Sequence, residues 1–399
     1  MTPAVLACSL VEAHQRLGDK AVGEPASAPA LARRLRDAGA GAVCIVVDAV
    51  RVNERLLVWI DTEHAQGWLV ASLPVAALPR SRASDLFARH LAAAMEKGFV
   101  VADAAVLAVM ASTRDMRSVG RADPSPDAEP SDFSDAANTD FAFDPTLLPQ
   151  LSWGEEAVLS DAPSAPPAPQ RPLDLYAIVD SAERVQQVLA AGVKTVQLRF
   201  KKPLDPSAGW DNILRQEVQR SLTASHAAGA ELFINDHWQA AAQAGASGVH
   251  LGQEDLLALG NAGRTALQAT GMALGISSHS LWELCRARTL NPRYLACGPV
   301  WPTLTKDMPW HAQGLDNLSW WCRMAGYPVV AIGGILGAEQ VFDAARTGAD
   351  GICIVRGLGD QPGSVVSALQ AAMLEGRASA KGSRAKQVWP HPSLSPTSP

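Results

Sequence analysis

Residues 231–256 read ELFINDHWQAAAQAGASGVHLGQEDL. ELFIN (231–235) is a short apolar run that stops at Asn-Asp, as a strand entering a turn does. WQAAAQAG is an Ala-rich helical stretch, closed by Gly245 where a helix C-terminus accepts glycine. GVHLG (248–252) is a second apolar run. Strand, helix and strand in so few residues form a βαβ unit.

The same rhythm runs outward in both directions. Before it stand LYAIV (175–179) and TVQLRF (195–200); after it stand ALGIS (273–277), YLACGPV (294–300), VVAIGGI (329–335) and GICIV (351–355). Helical stretches such as AERVQQVLAAG, LWELCRART and AEQVFDAARTG separate them. Eight β runs in about 200 residues indicate an α/β fold, a (β/α)8 TIM barrel near the small end of its size range. A doubly wound sheet is the alternative. Eight parallel strands favour the barrel, because closure removes both edges.

Outside the barrel, composition divides the 399 residues further. Residues 1–120 read as a small α/β region: a helix near 28–38, strands VCIVVDA, RLLVWID and GWLVAS, then helices from about Ser84 and Asp103. Residues 121–172 hold ten of the 27 prolines and ten acidic residues, with only Arg121 and Arg171 basic. That composition reads as a flexible, disordered linker, with WGEEAVLS inside it as a helical turn or docking segment. The barrel is expected over 173–376 and a disordered tail over 377–399.

Forty acidic against 34 basic residues leave a net charge of −6, which argues against a general nucleic-acid or anionic-membrane binder. No apolar run reaches the ~18 residues of a membrane span. The N-terminus has no basic n-region, so no signal peptide is expected. Six cysteines without a CxxC pair read as reduced thiols of a cytoplasmic protein.

Active sites of this barrel lie at the C-terminal ends of the strands. Strand 2 delivers Gln197, Arg199 and Lys201 at i, i+2 and i+4, on one face. Cations pointing inward call for an anion. Strand 3 ends in Asn235-Asp236, strand 4 runs into Asp255, and strand 5 ends at Ser277. Strand 6 leads to Thr303, Thr305 and Lys306, strand 7 to Gly333-Gly334, and strand 8 to Val355-Arg356. Singly, Asn-Asp and Gly-Gly read as turns, Lys306 as a solvated loop residue, His250 as a structural histidine, and Trp320-Trp321 as packing. Recurrence of functional side chains at one end of consecutive strands changes that reading. Backbone N–H groups after strands 7 and 8 suit a phosphate, and Thr303 and Thr305 add donors for an anionic group. Asp236 and Asp255 suit Mg2+, which keeps waters and shares substrate phosphates. Arg199, Lys201 and Lys306 can neutralise a polyphosphate. The residues therefore describe an enzyme with two phosphorylated small-molecule ligands. No nucleophile–base pair stands out, and oligomeric state, including a homo-oligomer, is left open.

With NDHWQAAAQAGASGVHLGQEDL, GISSHS, GPVWPTLTK and VVAIGGI in this order, the stretch from Leu173 to about Gly376 resembles the thiamine-phosphate synthase family. The resemblance implies coupling of 4-amino-2-methyl-5-hydroxymethylpyrimidine diphosphate to 4-methyl-5-(2-hydroxyethyl)thiazole phosphate, giving thiamine phosphate and diphosphate. It implies that Gln197, Arg199, Lys201, Asn235 and Lys306 hold the pyrimidine diphosphate. Asp236 and Asp255 would bind Mg2+, and Ser277 would contact the pyrimidine or diphosphate. Thr303 and Thr305 would meet the thiazole substrate; Gly333, Gly334 and the Val355-Arg356 backbone would take its phosphate. Arg199, Lys201, Ser277 and Lys306 are the catalytic assignments. Arg356 departs from a common Ser and Phe200 from a frequent Glu; alternation turns Phe200 away from the site. The competing readings are a thiazole tautomerase-like barrel, which needs no diphosphate site, and a non-catalytic metabolite-binding scaffold.

The segment Arg82–Ala88 with the helices after it resembles half of a ribokinase-like hydroxymethylpyrimidine phosphate kinase. Arg82 and Ser84 stand where that resemblance implies the glycines of an anion hole, and Asp85 where some members keep a base. The expectation is a degenerate, non-catalytic remnant.

Overall fold

The computed structural model describes residues 4–19, 24–47, 55–73, 83–119, 136–156, 171–303, 309–381 and 388–395. The chain forms two compact units. Unit 1 takes Met1–Pro163 together with Ser280–Thr289 and Pro392–Pro399; unit 2 takes Ser164–His279 and Leu290–His391.

Unit 1 begins with β1 (Val5–Ser9), α1 (Leu10–Arg16) and α2 (Ala28–Asp37). β2 (Ala42–Val47), β3 (Arg55–Asp61) and β4 (Gln66–Ser72) follow, then α3 (Ala83–Glu96) and α4 (Val101–Val119). β5 (Gln150–Leu151) completes a sheet of order β1-β2-β3-β4-β5. β1 and β2 are parallel and the remaining pairs antiparallel. AVCIVV in β2 is buried at every residue, because helices cover both faces. Leu31, Ala32 and Leu35 of α2 pack on Val43, Ile45 and Trp59, whose indole meets Trp68 edge-on at 5.3 Å.

Two boundaries differ from the sequence expectation. Within the stretch read as linker, residues 136–156 are built: two 3-10 segments lead to β5, and Leu151 pairs with Leu69. The open edge of β4 supplies the backbone partners that composition could not reveal. Trp153–Glu156 belongs to this docked piece, with the Trp68 indole N–H donating to the Glu155 carbonyl at 2.7 Å. The rest of WGEEAVLS lies outside the described residues.

Unit 2 holds a closed barrel of eight parallel strands. They are β6 (Asp174–Val179), β7 (Thr195–Leu198), β8 (Glu231–Asn235), β9 (Gly248–Leu251), β10 (Ala273–Ser278), β11 (Tyr294–Cys297), β12 (Val329–Ala331) and β13 (Gly351–Ile354). Each pairs with its sequence neighbours, and β13 closes on β6 with Ile352 opposite Leu175. The helices are α5 (Ala182–Ala190), α6 (Trp210–Ala227), α7 (Trp238–Gln243), α8 (Gln253–Ala258), α9 (Gly260–Ala269), α10 (Leu281–Ala287), α11 (Gly314–Met324), α12 (Ala338–Arg346) and α13 (Pro362–Lys381). α10 follows β10 in the chain but belongs by its packing to unit 1. Tyr176, Ile178, Phe233, Tyr294, Val330 and Cys353 fill the interior of the barrel. Trp320 and Trp321 are buried, as packing residues should be. Arg293 forms a two-point ion pair with Glu231 at 3.0 and 3.1 Å.

The second boundary lies at Gly376. It does not end the last helix; α13 runs on to Lys381. A Cβ at Gly376 would strike the Phe342 carbonyl of α12, so glycine serves close helix approach there and not termination. Arg377 then donates to Asp174 at 2.6 Å and to the Asp350 carbonyl at 2.7 Å. Residues 388–395, expected to be disordered, are placed as well: the His391 N–H donates to Asn317 at 2.8 Å, and Asn317 returns a bond to the His391 carbonyl at 3.0 Å.

Candidate active site at the strand ends

Gln197 leaves β7 buried in the barrel, and the Arg199 N–H donates to the Val179 carbonyl at 2.7 Å, extending the pairing beyond the strand. Phe200 stacks on Trp210 at 6.1 Å, and its carbonyl lies 2.8 Å from His237 Nε2. Lys202 sits over the same indole at 5.3 Å. These contacts turn Phe200 away and fix the segment carrying Arg199 and Lys201.

At the end of β8, Asn235 is buried and Asp236 adopts a left-handed φ of 64°. The Asp236 N–H donates to the His250 carbonyl at 3.0 Å. Burial, then repulsion from Asp255, pushes the Asp236 carboxyl above its ordinary value; His237, Arg199 and Lys201 pull it back. Asp255 also accepts the Gly252 N–H at 3.1 Å, capping α8. The strand ends therefore bring Arg199, Lys201, Asp236 and Asp255 into one electrostatic neighbourhood.

His250, on β9, is fully buried. Its Nε2 lies 2.8 Å from Ser277 Oγ and its Nδ1 2.8 Å from the Tyr294 hydroxyl. Burial drives its pKa down to about 4, so the ring is neutral near pH 7. It is a satisfied histidine, as the sequence suggested, and one partner is Ser277, which the sequence reading places among the candidate site residues. The sequence reading assigned no role to Tyr294 or Tyr176; their apolar strand context reads as core.

On the far side, the Val300 N–H donates to the Ile332 carbonyl at 2.8 Å and the Trp301 N–H to the Gly333 carbonyl at 3.1 Å. Gly333 and Gly334 have φ of 95° and 72°, and a Cβ on either would collide with Pro299 or Trp301. The Gly-Gly pair is thus required by both conformation and close approach. Gly357 similarly presses on the Leu336 carbonyl, at 2.7 Å from a would-be Cβ. Val355 and Arg356 are exposed beside this glycine-built rim, and Thr303 is half-buried. Thr305 and Lys306 lie outside the described residues.

Two carboxylates among cations suit one hydrated divalent ion bridged to a diphosphate. Among the described residues no cluster of three or more His, Cys, Asp or Glu offers an all-protein cage. A closed parallel barrel with this polar arc on one side and a glycine-built backbone rim on the other is a barrel enzyme for phosphorylated substrates.

A family model described as thiamine monophosphate synthase matches residues 175–358. The thiamine-phosphate synthase of Neisseria meningitidis serogroup A is 43% identical over 203 residues, covering 50% of this chain and 94% of the relative. That of Rhizobium etli is 43% identical over 188 residues, covering 47% and 87%. A solved thiamine phosphate pyrophosphorylase from Pyrococcus furiosus matches at 26% identity and TM-score 0.44, covering 51% and 96%. The chain belongs to the thiamine-phosphate synthase family, through its C-terminal half. It is an enzyme, a transferase of thiamine biosynthesis. No helix among the described residues is long and apolar enough to cross a membrane.

Proposed function

We propose that the barrel joins 4-amino-2-methyl-5-hydroxymethylpyrimidine diphosphate to 4-methyl-5-(2-hydroxyethyl)thiazole phosphate. The carrying observation is the Arg199–Lys201–Asp236–Asp255 neighbourhood, a set of charges suited to a metal-bound polyphosphate. The bond between the pyrimidine methylene and the diphosphate oxygen breaks, and diphosphate leaves with the electron pair. The thiazole nitrogen donates its lone pair to the resulting methylene cation. No proton is transferred, so the reaction needs no general base. Arg199, Lys201, Asn235 and Lys306 hold the charge that develops on the leaving group, and Gln197 and Ser277 orient the pyrimidine. Asp236 and Asp255 would hold Mg2+, which adds further charge neutralisation at the diphosphate. Thr303, Thr305 and the backbone at Gly333, Gly334, Val355 and Arg356 hold the thiazole phosphate. The free cysteines of the chain fit a reducing compartment, the cytoplasm.

The test is a coupling assay on the full chain with both substrates and MgCl2, product being oxidised to fluorescent thiochrome, with an EDTA arm. Mg2+-dependent product is expected. No product from a folded chain that binds the thiazole phosphate would move the assignment to a tautomerase-like barrel.

We further propose that residues 1–120 have no kinase activity. Ser84 is a buried residue of α3, Asp85 lies in that helix's first turn, and Arg82 lies outside the described residues. ATP-dependent phosphorylation of hydroxymethylpyrimidine phosphate by the chain would overturn this.

A further inference from the structure

Five side chains from five strands form one continuous hydrogen-bonded chain through the barrel interior. Gln197 Nε2 (β7) lies 3.3 Å from the Tyr176 hydroxyl (β6), and that hydroxyl lies 2.7 Å from the Tyr294 hydroxyl (β11). Tyr294 lies 2.8 Å from His250 Nδ1 (β9), and His250 Nε2 lies 2.8 Å from Ser277 Oγ (β10). Both ends are residues assigned above to the substrate, and the three between them are buried.

We propose that this chain has a single polarity, running from Gln197 to Ser277, and that it presets Ser277 as a donor and the Gln197 carbonyl as an acceptor toward the substrate. The proposal rests on the reading of the site given under Proposed function. A carboxamide nitrogen can only donate, so Tyr176 accepts from Gln197. The Tyr176 proton must then go to Tyr294, and the Tyr294 proton to His250 Nδ1. A neutral imidazole carries one proton, and with Nδ1 accepting it lies on Nε2 and points at Ser277 Oγ. Ser277 accepts that bond and keeps its own O–H for the site, where it suits an acceptor atom of the pyrimidine diphosphate. Each hydroxyl and imidazole proton in the chain is used once, and no buried hydroxyl is left over.

The barrel is built around this chain. A Cβ at Gly275 would run into the Tyr294 phenol, and one at Gly248 would meet the Phe233 ring at 2.6 Å. Phe233 in turn packs against both tyrosines at 5.9 and 5.1 Å. His250 stacks on Tyr294 with ring planes 18° apart. The rings are therefore held in place, and His250, Tyr294 and Tyr176 act as positioning residues.

The test is the tautomer of His250 in the full chain labelled with 15N-histidine, its signals assigned by loss in His250→Gln. The expected result near neutral pH is the Nε2–H tautomer. The Nδ1–H tautomer would reverse the chain and overturn the proposal, with the coupling assignment untouched. Coupling kinetics form the second arm. Tyr294→Phe should lower kcat about tenfold and leave KM for the thiazole phosphate unchanged. His250→Gln, which keeps a donor near the Nε2 position, should retain more activity than His250→Met. Equal loss in these two variants would also overturn it. An inactive wild-type chain with the Nε2–H tautomer would sink the coupling reading and leave the polarity standing.

Discussion

Asp236 occupies a left-handed backbone position at the tip of β8, where Asn is tolerated nearly as well as Asp. Asp236→Asn therefore removes the charge and keeps the turn, whereas Asp236→Ala would mix charge loss with strain. The expectation is a thermal midpoint close to wild type and a fall in thiochrome-detected coupling of roughly 100-fold or more, the scale of losing one charge-stabilising group. Near-normal coupling would dissociate Asp236 from the diphosphate. Asp103, in unit 1, makes a different kind of prediction. Burial raises its carboxyl to about 6, against hydrogen bonds from the Trp282 N–H at 2.9 Å and the Ser393 hydroxyl at 3.4 Å. The folded state then binds more protons than the unfolded state between about pH 4 and 6, so this residue's contribution to stability declines as pH rises through that window. The loss is on the order of 3 kcal/mol by pH 7, from a shift of about two units. Asp103→Asn still accepts the Trp282 N–H and has nothing to ionise. Its midpoint should exceed wild type at pH 7 and not at pH 4, in thermal melts at both values; parallel profiles would refute the assignment. Legibility at this scale follows partner distance. The carboxylates and cations were readable because strand ends advertise them in sequence. The role of His250 was not, because its partners Ser277 and Tyr294 lie 27 and 44 residues away on other strands.

The eight barrel strands could be read because each is an apolar run closed by a turn and followed by a helix, a pattern contained within one βα unit. β5 could not, since two residues in an acidic, proline-rich stretch become a strand only against the waiting edge of β4. α13 shows how one residue type carries two meanings. Gly376 marks the expected end of the barrel, yet it lies inside the helix where a Cβ would collide with Phe342 and Ala345 of α12. Gly363, in the first turn of the same helix, has open space around it. Gly376→Ala should therefore destabilise the chain by about 1–3 kcal/mol through forced separation of α12 and α13. Gly363→Ala should be neutral or stabilising by up to about 1 kcal/mol, through helix propensity and reduced freedom of the unfolded chain. Denaturant titration of the two variants checks the pair, and similar effects at both positions would show that close approach is not the reason for Gly376.

At the scale of the whole molecule, the units do not separate at one point in the sequence. Unit 1 reclaims Ser280–Thr289 and Pro392–Pro399 from beyond the start of the barrel, so no single cut releases a complete unit 2 with nothing left over. Reading from composition assumed contiguous pieces, and a Pro-rich acidic stretch is a natural place to divide them; the packing of a ten-residue insert cannot be inferred that way. The consequence is testable with a fragment of residues 171–399. It retains every residue assigned to the substrates, but within unit 1 its 280–289 segment loses three fixed bonds. These are Trp282 N–H to Asp103 at 2.9 Å, Arg286 to the Gln66 carbonyl at 3.1 Å, and the Trp153 indole to Thr289 at 2.8 Å. Leu281, Trp282, Leu284 and Cys285, all buried in the full chain, lose apolar cover as well. The segment begins one residue after His279, directly beyond β10 and Ser277. The fragment is expected to melt at least about 5 °C below the full chain, the shift produced by roughly 2 kcal/mol in a domain of this size. Its coupling rate should fall with stability, and added residues 1–163 should restore part of both. A fragment with the midpoint and rate of the full chain would show that the barrel holds this helix unaided and that unit 1 does not stabilise the enzyme.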